Sequence, residues 1–324
     1  MSYIQKIQQS LTLNQIRRWF IPSRRRLIWR TITIGALVSV FISLVYTWDE
    51  LPDTRLELTP FYLIVAVGVY IFTYIMHLMG WHALATLTFG KLPLRDNIEA
   101  VAASDLVKYL PTVAWYIANR IHFYDQRQIP RKSVIAASLL EMIVLLGSGG
   151  IILLGMWTVQ TGSLILLFAI PLVGIISIKL GGSKIRYWWN THIRLYQLSF
   201  SRQIFYWVIA LWGYGMSWLV GALFLTFVLR TFTFVVSDDY WLLLNIWLIA
   251  GLAGTIVSYS IGTVGVAREA TLTFLLARYW PLSASIAVAV IVKIILTVGQ
   301  IGCALFILSG IHIIKKIKKS GVVE

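Results

Sequence analysis

The fold is decided by the stretch at residues 281–310, PLSASIAVAVIVKIILTVGQIGCALFILSG, in which Lys293 is the one charged residue. An α-helix rises 1.5 Å per residue, so about 20 apolar residues cross the roughly 30 Å hydrocarbon core of a bilayer. Backbone amides and carbonyls in lipid must bond within their own segment, which forces a helix. The stretch therefore predicts a membrane-spanning helix with a charge inside the membrane.

The composition of the whole chain agrees with this prediction. Its 324 residues are 58% hydrophobic and 13% charged, about half the charged fraction of a soluble domain. Cys303 is the single cysteine, which excludes a disulfide framework. We expect an all-α polytopic membrane protein with about eight transmembrane helices and no soluble domain. The candidate spans are 27–48, 60–88, 133–157, 163–180, 203–229, 240–259, 262–279 and 281–310.

The positive charge predicts the orientation of the chain. The net charge of +15 lies mainly in short loops and at both ends, and loops rich in Lys and Arg stay in the cytoplasm. We therefore expect a basic arm at 1–26 and a tail at 311–324, both cytoplasmic, around a transmembrane domain at 27–310 in the plasma membrane. Because the charge sits between apolar runs, membrane lipids are the expected partners rather than nucleic acid.

Two segments of the transmembrane domain combine charges with a predicted break. Segment 94–124 begins and ends beside basic loops, and Pro111 interrupts its helix, so we expect a re-entrant pair of short helices. Segment 260–279 contains Gly262 and Gly265, which permit a turn. Backbone breaks at membrane depth are tolerated where they are buried or line a cavity, so both segments are candidates for a site.

Ionisable residues at membrane depth are the functional candidates, since each costs about 2.5–3.5 kcal/mol to insert. They are Asp105, Lys108, Arg120, Glu141, Arg268, Glu269 and Lys293. If they surround one cavity, its net positive charge favours a phosphate-bearing lipid headgroup over a metal cation. The alternative is local pairing that only fixes helix packing, for example Glu141 with Arg120 and Glu269 with Lys293.

Soluble-enzyme motifs are missing from the sequence. It contains no phosphate-binding loop ending in GK[ST], no HExxH, no CxxC and no Gly-x-Ser-x-Gly, so we expect no cofactor, no metal and no enzymatic activity. His77 and His82 are poorly spaced for one metal and are assigned structural or interface roles. Asp238 and Asp239 are adjacent rather than a metal-binding DxD pair, and we expect them to cap or solvate a helix start.

The two broken segments resemble the lysylphosphatidylglycerol synthase transmembrane family, also called the flippase-like family. The first, with its Lys-Tyr-Leu-Pro sequence, resembles the family's "YLPG…W…R" stretch, and GTVGVARE at 262–269 resembles its late "GGxGVRE" stretch. Glu141 is similar to an acidic residue in the next helix of the pattern. The chain departs from the pattern at Thr112, Ile261 and Ala267. The residues that carry the resemblance are Lys108, Tyr109, Pro111, Trp115, Asn119, Arg120, Gly262, Gly265, Arg268 and Glu269.

The resemblance implies movement of a phospholipid, aminoacyl-phospholipid or polyprenyl-linked lipid between leaflets. With no soluble domain expected, the chain should not aminoacylate lipid itself. We expect Lys108, Arg120 and Arg268 to contact phosphate, with Asp105, Glu141, Glu269 and Lys293 as supporting charges. Two alternatives stay open: a membrane-embedded transferase acting on a lipid-linked substrate through Asp105 or Glu141, and a non-catalytic partner subunit of a cell-envelope lipid or glycan enzyme.

Overall fold

Every regular element in the described part of the chain is a helix. The computed structural model describes residues 59–90, 92–107, 113–162, 198–232, 239–261 and 266–319. The helices are α1 (Pro60–Phe89), α2 (Leu94–Val107), α3 (Val113–Asp125), α4 (Arg131–Thr161), α5 (Phe200–Arg230), α6 (Tyr240–Ile261), α7 (Val266–Leu276) and α8 (Leu282–Lys319).

Five of these helices, α1, α4, α5, α6 and α8, are long and apolar enough to cross a bilayer. They coincide with the spans predicted at 60–88, 133–157, 203–229, 240–259 and 281–310, so the α-helical membrane class is confirmed. Large apolar side chains on their outer faces are exposed, among them Ile64 at 71% and Phe306 at 83%, as a surface that meets lipid requires. The predicted spans at 27–48 and 163–180 lie outside the described residues.

Proline and glycine set the ends of two spanning helices. Pro60 is the first residue of α1, where a missing backbone N–H costs nothing because the first turn has no intrahelical acceptor for it. The same helix stops at Gly90, whose φ of 91° is a conformation that glycine adopts without strain. α4 follows Pro130 and ends at Gly162 in the left-handed conformation, a common helix C-terminal arrangement.

The helices α1 and α5 pack closely in an antiparallel pair at the centre of the fold. The amide of Thr59, just before α1, donates to the carbonyl of Thr231, just after α5, at 2.9 Å. Midway along the pair, Gly213 faces the backbone of Met76 and Gly80. Small residues allow this close approach, which is how helices associate in a membrane where lipid removes the hydrophobic driving force.

The segment predicted at 94–124 forms two short helices, α2 and α3. Their 14 and 13 residues span about 20 Å each, less than a bilayer requires. Arg127, just after α3, pairs with Asp96 at 3.0 Å and Glu99 at 3.7 Å in the first turns of α2. The start of α2 therefore lies beside the end of α3, and the two helices form a hairpin. The residues at 108–112 between them, including the predicted Pro111 bend, lie outside the described part.

The helix α7 is shorter than the predicted span at 262–279. It has 11 residues, or about 17 Å, because the chain turns after Leu276 and α8 begins at Leu282. The segment predicted as the seventh crossing therefore cannot cross a bilayer as this helix alone.

Asp239 caps the start of α6. Its Oδ1 accepts hydrogen bonds from the amides of Trp241 and Leu242 at 3.0 and 3.1 Å, which confirms its predicted role at a helix start.

Candidate functional site

A fully buried ion pair joins the α2–α3 hairpin to α4. Arg120 Nη1 lies 2.6 Å from Glu141 Oε2, and Arg120 Nη2 lies 3.3 Å from Glu141 Oε1. Neither residue has more than 1% of its surface exposed. The two-point contact matches the planar guanidinium to the planar carboxylate, the strongest geometry for such a pair. The pairing of Glu141 with Arg120 that the sequence offered as an alternative is therefore present in the structure.

Aromatic and polar side chains enclose this pair. The hydroxyl of Tyr214 on α5 donates to Glu141 Oε1 at 3.1 Å, and Tyr116 on α3 contacts both residues of the pair. The guanidinium lies 3.6 Å from the ring centroid of Trp81 on α1, a cation–π contact. Only Arg120 Nε lacks a hydrogen-bond partner here among the described residues.

The enclosure bears on the predicted phosphate contact at Arg120. Its side chain is 0% exposed and is already bound to a carboxylate and stacked between two rings. A phosphate could reach it only after the hairpin moved away from α4. The predicted contact therefore stays a prediction, and in the structure Arg120 joins the hairpin to α4 through Glu141 and to α1 through Trp81.

His77 is the one partly open member of this cluster. Its Nε2 lies 3.3 Å from Glu141 Oε1, and 26% of its side chain is exposed compared with 2% for Glu141. His82 instead contacts Asn97 at 2.8 Å, and Asn97 accepts from Tyr124, which accepts from Trp81. The two histidines therefore serve separate helix contacts, and no group of three metal-ligating side chains occurs among the described residues.

Asp105 near the end of α2 meets the same face of α1. Its Oδ2 accepts from the hydroxyl of Tyr74 at 2.9 Å. Tyr74 and His77 are one helical turn apart, so they point in similar directions. Asp105 and Glu141 therefore contact neighbouring positions of α1, although no hydrogen bond or ion pair between them is seen in the described part.

A second charged cluster lies where α6, α7 and α8 meet. Glu269 Oε1 is 3.1 Å from Arg268 Nη2 and 3.8 Å from Lys293 Nζ, so the predicted pairing of Glu269 with Lys293 is present and is shared with Arg268. Gly254 allows α6 to pack closely against α7 at Arg268, because a Cβ at position 254 would lie 3.0 Å from the Arg268 Cα. The cluster holds two cations and one carboxylate.

This second cluster is more accessible than the first. The side chains of Arg268 and Lys293 are 25% and 34% exposed. Glu269 Oε2 is buried and has no hydrogen-bond partner among the described residues. Lys293 lies 11 residues into α8, about 16 Å from its first residue, which is well inside the length of a spanning helix. The cluster thus places an accessible net positive charge at membrane depth.

The predicted site residues therefore fall into separate local groups. Within the described part, no hydrogen bond or ion pair joins the Arg120 group to the Arg268 group, so one shared cavity stays a prediction. Asn119 lies on α3 beside Arg120, half-buried. Five of the remaining predicted residues lie outside the described part of the chain: Lys108, Tyr109, Pro111, Gly262 and Gly265. Trp115 belongs to α3, but its side chain is outside the described part.

An exposed ion pair at the end of the hairpin contrasts with the buried one. Arg131 Nη2 lies 2.9 Å from Asp125 Oδ2, and each side chain is 47% exposed. The hydrogen bond from Arg131 keeps the pKa of the Asp125 carboxyl below its ordinary value. Water and salt screen such a pair, so it contributes little to stability.

Spanning helices with ionisable side chains buried between them define a multi-spanning α-helical membrane protein. Comparison of the chain with family models, curated protein sequences and solved structures finds no match. The features that point to a function are therefore the two charged clusters.

Proposed function

We propose that this protein binds a phosphate-bearing lipid and moves it between the leaflets of the membrane. The observation that carries the proposal is the partly exposed pair of cations, Arg268 and Lys293, which share the single carboxylate of Glu269 at membrane depth. Cations inside a membrane are costly and mark substrate or ion pathways. A phosphate group with its negative charge would satisfy the excess positive charge of this cluster.

The two charged clusters have different roles in this proposal. Arg268 and Lys293 contact the phosphate, and Glu269 orients them. Arg120 and Glu141 fix the α2–α3 hairpin against α4, so that the lipid headgroup passes beside a hairpin of defined position while its tails stay in lipid. Lys108 remains a proposed third phosphate contact.

The proposed topology has eight crossings, the seventh an irregular one of which α7 forms only part. Both ends of the chain are in the cytoplasm, and the α2–α3 hairpin re-enters the plasma membrane from that side. Support comes from contacts between helix ends. Arg95 at the start of α2 lies 3.5 Å from the carbonyl of Ile311 near the end of α8, and Arg127 joins the two ends of the hairpin. These contacts gather basic residues at one side, as cytoplasmic loops require. Membership of the flippase-like family is part of the same proposal.

Replacing Arg268 or Lys293 with alanine tests the phosphate site. We expect each variant to move a headgroup-labelled phospholipid at least about tenfold more slowly in reconstituted vesicles, since a hydrogen bond to a charged group is worth about 1.5–3 kcal/mol. The Arg268→Lys variant should retain part of the rate, because it keeps the charge but loses the planar donor.

The control for this experiment is Arg278→Gln, at the exposed turn after α7. It removes one positive charge outside the cluster, and we expect its rate to match that of the original protein. Rates for Arg268→Ala and Lys293→Ala equal to that of Arg278→Gln would contradict the proposed phosphate site. A labelled lipid that stays in its leaflet with the unsubstituted protein would contradict the proposed function.

A further inference from the structure

His77 is an ionisable residue that has no role in the lipid binding proposed above. It projects from α1 about 26 Å from the first residue of that helix and contacts the carboxylate of Glu141 at 3.3 Å. Imidazole is the side chain that gains and loses a proton between pH 5 and 8. A histidine in a spanning helix, bound to a buried acid and partly open, is therefore placed to carry a proton.

Among the described groups that contact Glu141, His77 is the most exposed. Tyr214 faces the carboxylate from α5, and Arg120 and Tyr116 face it from α3. Both tyrosines are buried and Arg120 is 0% exposed, whereas 26% of the His77 side chain is exposed. Arginine keeps its proton in proteins, so His77 is the better placed of these groups to exchange one.

The contact also fixes which ring nitrogen accepts the proton. An ionised carboxylate can only accept hydrogen bonds, and Nε2 is the ring nitrogen that faces Glu141, so the neutral tautomer that suits this contact carries its hydrogen on Nε2. The lone pair of the neutral ring is then on Nδ1, and no described side chain donates to that atom. Nδ1 is therefore the position where a further proton binds.

We propose that His77 and Glu141 form a proton-binding site through which the protein couples lipid movement to a proton gradient. A proton from solvent binds the Nδ1 lone pair, and the imidazole becomes an imidazolium whose Nε2–H still donates to Glu141. No other bond forms or breaks, and loss of the same proton restores the starting state. The net charge of the Arg120–Glu141–His77 cluster changes from zero to +1. The coupling rests on the function proposed above, whereas the proton site does not.

The coupling follows from competition for one carboxylate. Arg120 Nη2 and His77 Nε2 both lie 3.3 Å from Glu141 Oε1. An imidazolium binds that oxygen more strongly than a neutral ring does, because charge-assisted hydrogen bonds are about twice as strong. Proton binding therefore weakens the hold of Glu141 on Arg120, the residue that attaches the hairpin. Loss of the proton restores that attachment.

The proton site is tested by histidine side-chain NMR on the full chain in lipid nanodiscs between pH 4.5 and 8.5. Among the signals of the five histidines, we expect one that changes from neutral to protonated in the unsubstituted protein and is missing from His77→Gln. The Gln side chain keeps a donor to Glu141 but cannot take up a proton. His122→Gln, at an exposed position of α3, should instead lose a different signal and leave this one unchanged. A His77 ring that stays neutral throughout would overturn the proton site.

The coupling is tested in vesicles carrying a headgroup-labelled phospholipid and a pH difference of one unit, with the membrane potential held at zero by potassium and valinomycin. If one proton accompanies each lipid, the steady-state distribution of label should shift about tenfold, and the His77→Gln variant should show no shift. Lipid movement that ignores the pH difference would overturn the coupling and leave the proposed function intact. No lipid movement under any condition would overturn both.

Discussion

Replacing Glu141 with glutamine is expected to destabilise the protein by about 3–5 kcal/mol, the usual result of removing one partner from a buried ion pair. Glutamine has nearly the same shape and still accepts a hydrogen bond, so the loss comes from charge rather than from packing. It leaves the guanidinium of Arg120 in a site that is 0% exposed, with no carboxylate to balance it. The measurement is the shift in the thermal unfolding midpoint of the purified protein.

Two further variants separate the buried charge from other causes. Asp125→Asn removes the carboxylate from the exposed Arg131 pair, and we expect the midpoint to change little because that pair is screened by water. The double variant Arg120→Met with Glu141→Leu removes both buried charges and should recover much of the lost stability. Equal losses in Glu141→Gln and Asp125→Asn would show that the buried pair has no special role.

The spanning helices could be predicted from the sequence because their signal is local. In each of the five described spans, a run of apolar residues fixes the helix whatever its neighbours are. The α2–α3 hairpin was also predictable, from basic residues at both of its ends. The length of α7 was not, because hydropathy does not record the turn after Leu276 at which this helix ends.

The composition of the buried cluster was only partly predictable. Arg120 and Glu141 stood out as charges in apolar surroundings, and their pairing was one of the two readings open from sequence. Tyr116 could have been found, since it lies four residues before Arg120 on the same face of α3. Tyr214 and His77 could not, because their contacts with Glu141 depend on how α5 and α1 pack against α4.

The contact between α1 and α5 is the second position at which we expect a substitution to have a large effect, because these two helices carry His77 and Tyr214 to Glu141. Replacing Gly213 with alanine would place a Cβ 2.7 Å from the Met76 carbonyl oxygen and 3.1 Å from the Gly80 amide nitrogen. Both atoms belong to the backbone, so no side chain can rotate away and the helices must separate. Overpacking of this kind costs about 1–3 kcal/mol. Lipid movement driven by a pH difference should also fall, because a shift of α1 would draw His77 away from Glu141.

Gly215 on the same helix provides a matched control. A Cβ there meets nothing within 4 Å, so Gly215→Ala changes helix propensity without changing the contact. We expect its unfolding midpoint to equal or slightly exceed that of the original protein, since alanine favours helix over glycine, and its rate of lipid movement to be unaffected. The midpoint of Gly213→Ala should be lower. If the two alanine variants had the same stability and the same pH-driven lipid movement, the close α1–α5 approach could not be what positions His77.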